Sequence, residues 1–373
     1  MKIYGIFRGF PGLGRVMSGV ALLNSLRRQG YEVYAYSYLQ GLEVLKQNNI
    51  SLIHDEQPSK LHIMVIGLNP ISKIAGEIYD DIIKNKPDLV LVDGEPLFIS
   101  TLSMIYPREK IISLLNPSDL HNPSLPISSR LFYQRHYLSA GYSIVHGVGV
   151  EKSEVLEKNS SEIKWVNTIL RDEIINIKNN DSSKDIVGIL GGGCQNSSKG
   201  FWESTILMGK KMIESSRILS AYRCRIYCND RTVASALHQY LSENDSVKIF
   251  DSYVNPARMY SGAKAVICRA GRNTTSELLY LKIPSILLSA NNDFRSEEQK
   301  KNINKVLQYN PDGIKTVDLS SSAQNLADNI KSVIKFSNPK VMFVPGNESA
   351  LSFINDILHQ RLCEAFSVNN CQV

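Results

Sequence analysis

The residues best able to do chemistry in this chain cluster between Ile267 and Asn302. The stretch reads Ile267-Cys-Arg-Ala-Gly271-Arg-Asn-Thr-Thr-Ser-Glu277-Leu-Leu-Tyr-Leu-Lys-Ile-Pro284 and continues to Glu297-Glu298-Gln299 and Asn302. A strand ending at Arg269, a turn at Gly271 and a helix beginning near Thr274 leave helix N–H groups facing outward above a sheet edge, a setting that favours anions. Arg269, Arg272, Asn273 and Thr274 all stand at that edge. Glu277, expected on the first helical turn, carries a carboxylate able to take two ribose hydroxyls. The same spacing, Thr274-x-x-Glu277, also reads as a capping box that needs no ligand. Glu298 and Gln299 equally fit an ordinary helix start.

Two glycine loops follow strand-like runs, Gly9-Phe-Pro-Gly12-Leu-Gly14-Arg15 and Gly191-Gly192-Gly193-Cys194-Gln195-Asn196. Glycine at a strand-to-helix turn lets backbone N–H groups approach a phosphate, although many parallel sheets need one merely to turn the chain. Neither loop has the Gly-Lys-Ser/Thr ending of a Walker A loop. A general base has to come from elsewhere, because Arg15 stays protonated near neutral pH. Arg15 suits a phosphate or an anionic acceptor, or else an exposed helix start. Asp93 and Glu95, in Val92-Asp93-Gly-Glu95-Pro96, close a strand at the edge where open α/β sheets bind ligands. Glu95 ranks first as the base. Asp93 follows, with turn capping as its alternative, together with His121 in the proline-rich segment Asn116-Pro-Ser-Asp119-Leu-His121. His146, closing another strand, reads as structural.

The elements that must position these groups alternate short apolar runs with helix-period segments, the pattern of parallel α/β units. Strands are expected at Lys2–Phe7, Glu32–Ser37, Ile63–Gly67, Asp88–Asp93, Lys110–Leu114 and Tyr142–His146. A second series is expected at Asp185–Leu190, Cys224–Cys228, Val247–Phe250, Ala263–Cys268 and Ser285–Leu288. Two α/β halves follow, residues 1–165 and 166–345. A last helix, with Leu351, Ile354 and Leu358 on one face, is expected in 346–373 and to cross back to the first half. The chain's 373 residues are enough for this, and 43% hydrophobic with 21% charged residues excludes a disordered or collagen-like protein. The net charge is 42 − 36 = +6, spread as +2 over residues 1–150 and +4 over the rest, without a basic run, so no nucleic-acid module stands out. The six scattered cysteines lack metal-site spacing, and Cys224, Cys228 and Cys268 read as buried thiols in a cytoplasmic protein. No apolar run approaches the length of a membrane span.

The stretch around Glu277 resembles the nucleotide-sugar-binding half of GT-B glycosyltransferases of the peptidoglycan N-acetylglucosaminyltransferase type. In that family a strand, a glycine-rich turn, a Thr-x-x-Glu helix start and a later Gln-x-x-Asn segment recur. Gly12-Leu-Gly14-Arg15-Val-Met-Ser resembles the family's N-terminal loop, and Asp93-Gly-Glu95-Pro96 is similar to an element of one branch. The resemblance implies two Rossmann-like domains facing across a cleft. It implies an inverting transfer of a hexosyl or N-acetylhexosaminyl group from a nucleotide sugar, a UDP-sugar by family habit, to an acceptor hydroxyl. Glu277 would hold the ribose; Gly191, Gly192, Gly193, Gly271, Asn273 and Thr274 would meet the diphosphate; Glu298 and Gln299 would meet the sugar. No metal or other cofactor is expected. The acceptor is left open among a small metabolite, a glycan, a lipid-linked sugar and a modified nucleobase. Arg15 stands where the family commonly has histidine, which takes the usual acid/base group out of this loop. A nucleotide-sugar hydrolase or 2-epimerase on the same scaffold is the alternative, and a non-catalytic sugar-nucleotide-binding protein a further one.

Overall fold

The computed structural model describes residues 1–9, 12–55, 73–122, 125–150, 162–177, 184–191, 199–228, 230–243, 245–252, 254–289, 296–335 and 341–370. Two compact units emerge, Met1–Ile169 with Pro345–Val373, and Leu170–Val344.

In the first unit the order is β1 (Lys2–Phe7), α1 (Gly14–Arg28), β2 (Glu32–Tyr36), α2 (Gln40–Gln47), β3 (Ser51–Leu52), α3 (Lys73–Asn85), β4 (Leu89–Asp93) and α4 (Pro96–Ile105). Then come β5 (Ile111–Leu115), α5 (Pro117–Leu120), α6 (Ile127–Tyr137), β6 (Tyr142–Gly147) and β7 (Glu162–Asn167). The seven strands pair in parallel in the order β3-β2-β1-β4-β5-β6-β7. Strands covered by helices on both faces need apolar residues at every position. Leu89-Val-Leu-Val92 meets that need, and Ile111-Ile-Ser-Leu-Leu115 does so except at Ser113, whose hydroxyl is paired with that of Ser143 at 2.7 Å; both are buried throughout.

The second unit runs α7 (Asp172–Ile175), β8 (Asp185–Ile189), α8 (Lys199–Ile218), β9 (Arg223–Tyr227), α9 (Arg231–His238), β10 (Val247–Phe250) and α10 (Pro256–Tyr260). It continues with β11 (Ala263–Cys268), α11 (Arg272–Leu281), β12 (Ser285–Ser289), α12 (Ser296–Tyr309), β13 (Ile314–Asp318) and α13 (Ala323–Ile334). Its six strands are again parallel, ordered β10-β9-β8-β11-β12-β13. Both orders reverse direction once, between β1 and β4 and between β8 and β11, as in doubly wound dinucleotide-binding folds.

Three strands escape the sequence reading: β3, β7 and β13. All lie at sheet edges, where one flank meets solvent and no continuous apolar run is needed; β7, for instance, alternates exposed and half-buried residues over most of its length. The expected strand Ile63–Gly67 lies outside the described residues. Cys224, Cys228 and Cys268 are free and buried. Phe98 and Ile99 are core residues of α4, whereas Phe132 and Tyr133 on α6 remain exposed. Among the described residues no helix is long and apolar enough to cross a membrane.

The last helix, α14 (Asn347–Asn370), packs against α1 and β7 of the first unit. Its buried face carries Ala350, Phe353, Ile354, Ile357 and Leu358, with Leu351 at the margin. The chain re-enters this unit at Gly346, whose N–H donates to the Thr168 carbonyl at 3.0 Å. A Cβ on Gly346 would stand 1.9 Å from the Asn167 carbonyl oxygen, which is backbone and cannot swing away. Gly346→Ala is therefore expected to lower unfolding stability by about 1–3 kcal/mol. Gly76→Ala, in α3 where an added Cβ meets nothing, should instead gain about 0.5–1 kcal/mol. Urea unfolding of both variants beside the parent checks the contrast, and equal effects would refute it.

Candidate functional site

In a parallel sheet every strand delivers its following loop to the same edge, so the reversal between β1 and β4 gathers the loops after both strands. In the first unit that edge holds most of the acidic and basic groups singled out in the sequence. Arg15 is the second residue of α1, preceded by Gly12 and Gly14. A cation at a helix N-terminus is disfavoured by the backbone dipole and calls for anions nearby. Asp93, at the end of β4, accepts from Arg15 Nη1 at 2.5 Å, and Asp119 on α5 accepts from Nη2 at 2.8 and 3.0 Å. Asp119 also accepts from the Asn116 backbone N–H at 2.8 Å, which fixes the start of α5. The guanidinium expected to hold a phosphate or an anionic acceptor thus bridges two carboxylates.

Between Asp93 and Glu95 the chain turns at Gly94, with φ +88°. A Cβ there would lie 2.6 Å from Arg15 Cδ and 2.7 Å from Arg8 Cβ, so glycine is required both by conformation and by space. The turn carries Glu95 inward, ahead of Pro96 at the start of α4. Glu95 is 1% exposed and accepts from the Tyr38 hydroxyl through Oε1 at 2.7 Å. Its other oxygen, Oε2, is buried without a hydrogen-bond partner among the described residues. Burial pushes the Glu95 pKa up, and Asp93 adds to this, while Arg8, the Tyr38 bond and Arg15 pull it down. The net direction is upward, towards the range of a working base.

The other two base candidates differ. Asp93 is fully buried and committed to Arg15. His121, just past α5, keeps a buried Nδ1 without a partner among the described residues. His146 is structural: Nδ1 accepts from the Ile169 backbone N–H at 3.4 Å inside the first unit.

In the second unit the reversal lies between β8 and β11, and the helices after these strands, α8 and α11, start at the same sheet edge. Gly191 follows β8; Gly192 and Gly193 lie outside the described residues. α11 begins at Arg272 with Gly271 as its N-cap and no side-chain cap. This start, two residues earlier than expected, puts Thr274 inside the first turn and Glu277 on the second. The capping-box alternative falls away, because Thr274 is not the cap. Asn273, Thr274 and Glu277 share one helix face at spacings of three and four. Gly271 has φ −69°, and a Cβ there would meet nothing within 4 Å. Neither conformation nor the described neighbours demand glycine at this place, which leaves room above the helix start.

Glu277 is 2% exposed and heavily bonded. Arg171 donates to both its oxygens, Nε to Oε1 at 2.8 Å and Nη2 to Oε2 at 2.9 Å, and the Tyr260 hydroxyl donates to Oε2 at 2.7 Å. These three bonds use most of a carboxylate's roughly four acceptor positions and leave one on Oε1. Arg269 serves the edge indirectly. Its guanidinium donates to Thr205 Oγ1 at 2.9 Å and Ser204 Oγ at 2.6 Å and lies 4.1 Å from the Phe201 ring centroid, tying the end of β11 to the start of α8. Arg272 is mostly buried, with Nε donating to Asn273 Oδ1 at 3.0 Å. On α12, Gln299 is buried and Glu298 half-buried, and Asn302 Nδ2 donates to the Ala270 carbonyl at 2.8 Å, linking that helix to the turn.

Tyr38, Arg8 and Asp119, and in the second unit Arg171 and Tyr260, are site neighbours that the motifs did not single out. Only Asp119 had a local signal, the Asn116-x-x-Asp119 spacing of a capping box. Arg171 lies 106 residues from Glu277, and no spacing rule reaches that far.

The model of the glycosyltransferase family 28 C-terminal domain matches residues 206–360. No curated protein matches this sequence. Solved structures are similar in fold across the chain. MurG from Acinetobacter baumannii is 13% identical with a TM-score of 0.57, covering 95% of this chain and all of that one. The glycosyltransferase SnogD from Streptomyces nogalater is 14% identical with a TM-score of 0.56, covering 96% and 99%. A UDP-GlcNAc 2-epimerase from Neisseria meningitidis, bound to UDP-GlcNAc, is 15% identical with a TM-score of 0.63, covering 96% and 100%. At such identities the likeness establishes the fold. The chain therefore shares the two-domain GT-B fold of these proteins, and its residues 206–360 match the family 28 C-terminal domain.

Proposed function

We propose that this protein is an inverting glycosyltransferase that moves a hexosyl or N-acetylhexosaminyl group from a UDP-sugar to an acceptor hydroxyl. The family 28 match over residues 206–360 carries the reading. The uridine nucleotide is supported by the similar fold of an epimerase bound to UDP-GlcNAc. In this reading the second unit holds the donor. Gly271, whose own N–H donates to the Arg269 carbonyl at 2.8 Å, leaves space beside the diphosphate; the backbone N–H groups of Asn273 and Thr274, with Gly191 to Gly193, take it, and the remaining acceptor position of Glu277 takes a ribose hydroxyl. Glu298 and Gln299 meet the sugar. A helix start that already points N–H groups at the leaving diphosphate stabilises its developing charge without reorganising, an effect worth about 3–4 kcal/mol per donor in related settings. No resident metal is part of the proposal.

The first unit supplies the acceptor side. Glu95 takes the proton of the acceptor hydroxyl as that oxygen forms its bond to the anomeric carbon from the face opposite the diphosphate. The bond to the diphosphate oxygen breaks, its electron pair leaves with the nucleotide, and the configuration inverts. Glu95 is favoured over Asp93 because Asp93 is held by the charged Arg15 guanidinium at 2.5 Å, whereas Glu95 accepts from the neutral Tyr38 hydroxyl.

A hydrolase or 2-epimerase is the second reading, favoured by the fold likeness to two UDP-GlcNAc 2-epimerases with TM-scores of 0.63 and 0.61. Incubating the protein with nucleotide sugars and no acceptor separates the two. The transferase reading expects only slow loss to water, and rapid stoichiometric release of free or epimerised sugar would replace it.

Thermal shift with a panel of nucleotide sugars is expected to single out a uridine donor, since a ligand held only by the folded state raises the melting temperature. Glu277→Ala should abolish that shift by removing the ribose contact and freeing Arg171. A full shift in this variant would count against the donor site.

Glu95→Gln should cut turnover with the selected donor by about 10²–10⁴-fold, the usual contribution of a positioned base. The same change should raise the melting temperature at neutral pH. A carboxyl whose folded pKa is raised costs stability above that pKa and nothing below its unfolded value, so the gain should fade as the pH falls through the ordinary carboxylate range. Retained turnover in this variant would dismiss Glu95 as the base.

A further inference from the structure

Glu95 alone does not explain why its carboxylate faces inward with one oxygen bonded and the other without a partner among the described residues. We propose that Tyr38 is the positioning residue for this base: its hydroxyl grips Oε1, aims Oε2 at the incoming acceptor hydroxyl and keeps the group in its carboxylate form. The proposal deepens the reading of Glu95 as the base and rests on it.

The hydroxyl-to-Oε1 bond is 2.7 Å long and buried, and Tyr38 is itself 2% exposed. Tyr38 follows β2, next to β1 in the sheet, so it reaches the same edge as Arg15 and Glu95. Its carbonyl is closely held, and the preceding residue is tied to β1. Gly9 packs so closely that a Cβ there would stand 1.9 Å from the Tyr38 carbonyl oxygen. That carbonyl accepts from the Gly41 N–H at 3.0 Å, and Ser37 Oγ donates to the Phe7 carbonyl at 2.8 Å. The next residue, Leu39, sits at φ 52° and ψ −127°, in the left-handed range that favours glycine. Strain of this sort persists only where the surroundings over-determine the conformation. Here they determine where the phenol points.

A buried carboxylate oxygen with no partner is a costly feature, and a reacting group brought in by substrate is the kind of partner that would satisfy it. Every group facing Glu95 bears on its charge. Arg8 from the end of β1, Arg15 from α1 and Tyr38 beyond β2 favour the carboxylate, and Asp93 from β4 opposes it. Tyr79 from α3 also feels the Glu95 charge, its own pKa being raised chiefly by burial. Of the groups that favour the carboxylate, only Tyr38 is neutral. Its hydroxyl can therefore be removed without changing the charge count around the base.

The test is a titration of the carboxyl carbons by ¹³C NMR in protein labelled at the glutamate side chains, with Glu95→Gln assigning the resonance. Tyr38→Phe removes the donor to the charged form, so the Glu95 midpoint should rise by about one pH unit. Because a merely structural bond would move the midpoint too, turnover decides the role: Tyr38→Phe should lower kcat with the selected donor with little change in KM and displace the pH profile with the midpoint, whereas a structural bond would leave kcat unchanged and overturn the proposal. Placing 3-fluorotyrosine at position 38 keeps the size and strengthens the donor, so the midpoint should fall, which decides the matter even if Tyr38→Phe folds poorly. A midpoint unmoved by either replacement overturns the proposal. The base reading has its own test in the turnover of Glu95→Gln, so either can fail while the other's result stands.

Discussion

Parallel pairing dictates most of what matters in this molecule. Each strand must be followed by a crossover that returns to the opposite edge, so all strand ends collect on one side and all helix starts stand above them. Where the order reverses, between β1 and β4 and again between β8 and β11, two neighbouring loops diverge to opposite faces of the sheet. Side chains at such a point are surrounded by helix N-termini and carbonyl ends, with little water to screen them. Groups placed there either satisfy one another or wait for a ligand.

Both units answer this constraint with a buried glutamate gripped by a tyrosine at 2.7 Å, Glu95 with Tyr38 and Glu277 with Tyr260. The resemblance ends at the cations. Arg171 engages both oxygens of Glu277, a geometry that fixes the carboxylate as an acceptor of defined direction. In the first unit Arg15 is claimed by Asp93 and Asp119 instead, and Oε2 of Glu95 has no partner among the described residues. Two carboxylates in similar burial thereby differ in how fully their acceptor positions are used.

The pairing of Arg15 with Asp93 and Asp119 gives the guanidinium a structural place in the first unit. An arginine at the second residue of α1 is stabilised by the anions around it and, once bridged, organises α5 through Asp119 and Asn116. Gly94 makes room for it. The arrangement is self-consistent: enlarging the turn, removing an aspartate or shortening the arginine would each disturb the other two.

The alternation of apolar runs with helix-period segments was enough to place the central strands, since a strand buried on both faces has to be apolar throughout, and Leu89-Val-Leu-Val92 leaves no other reading. The glycine turns, the acidic strand end at Asp93 and Glu95 and the helix carrying Glu277 were legible for the same local reason, that turns and helix starts are written in adjacent residues. Edge strands β3, β7 and β13 were not, because half-exposed pairing tolerates polar residues. The start of α11 was displaced by two residues because glycine caps it through backbone geometry alone. Which charges meet was decided only by the tertiary structure. Arg15 joins Asp119 across 104 residues, Arg171 joins Glu277 across 106, and Tyr38 reaches Glu95 across 57. Local spacing carries helix and strand periodicity, whereas partnership between distant side chains follows from the order in which strands pair, and that order exists only once the chain has folded.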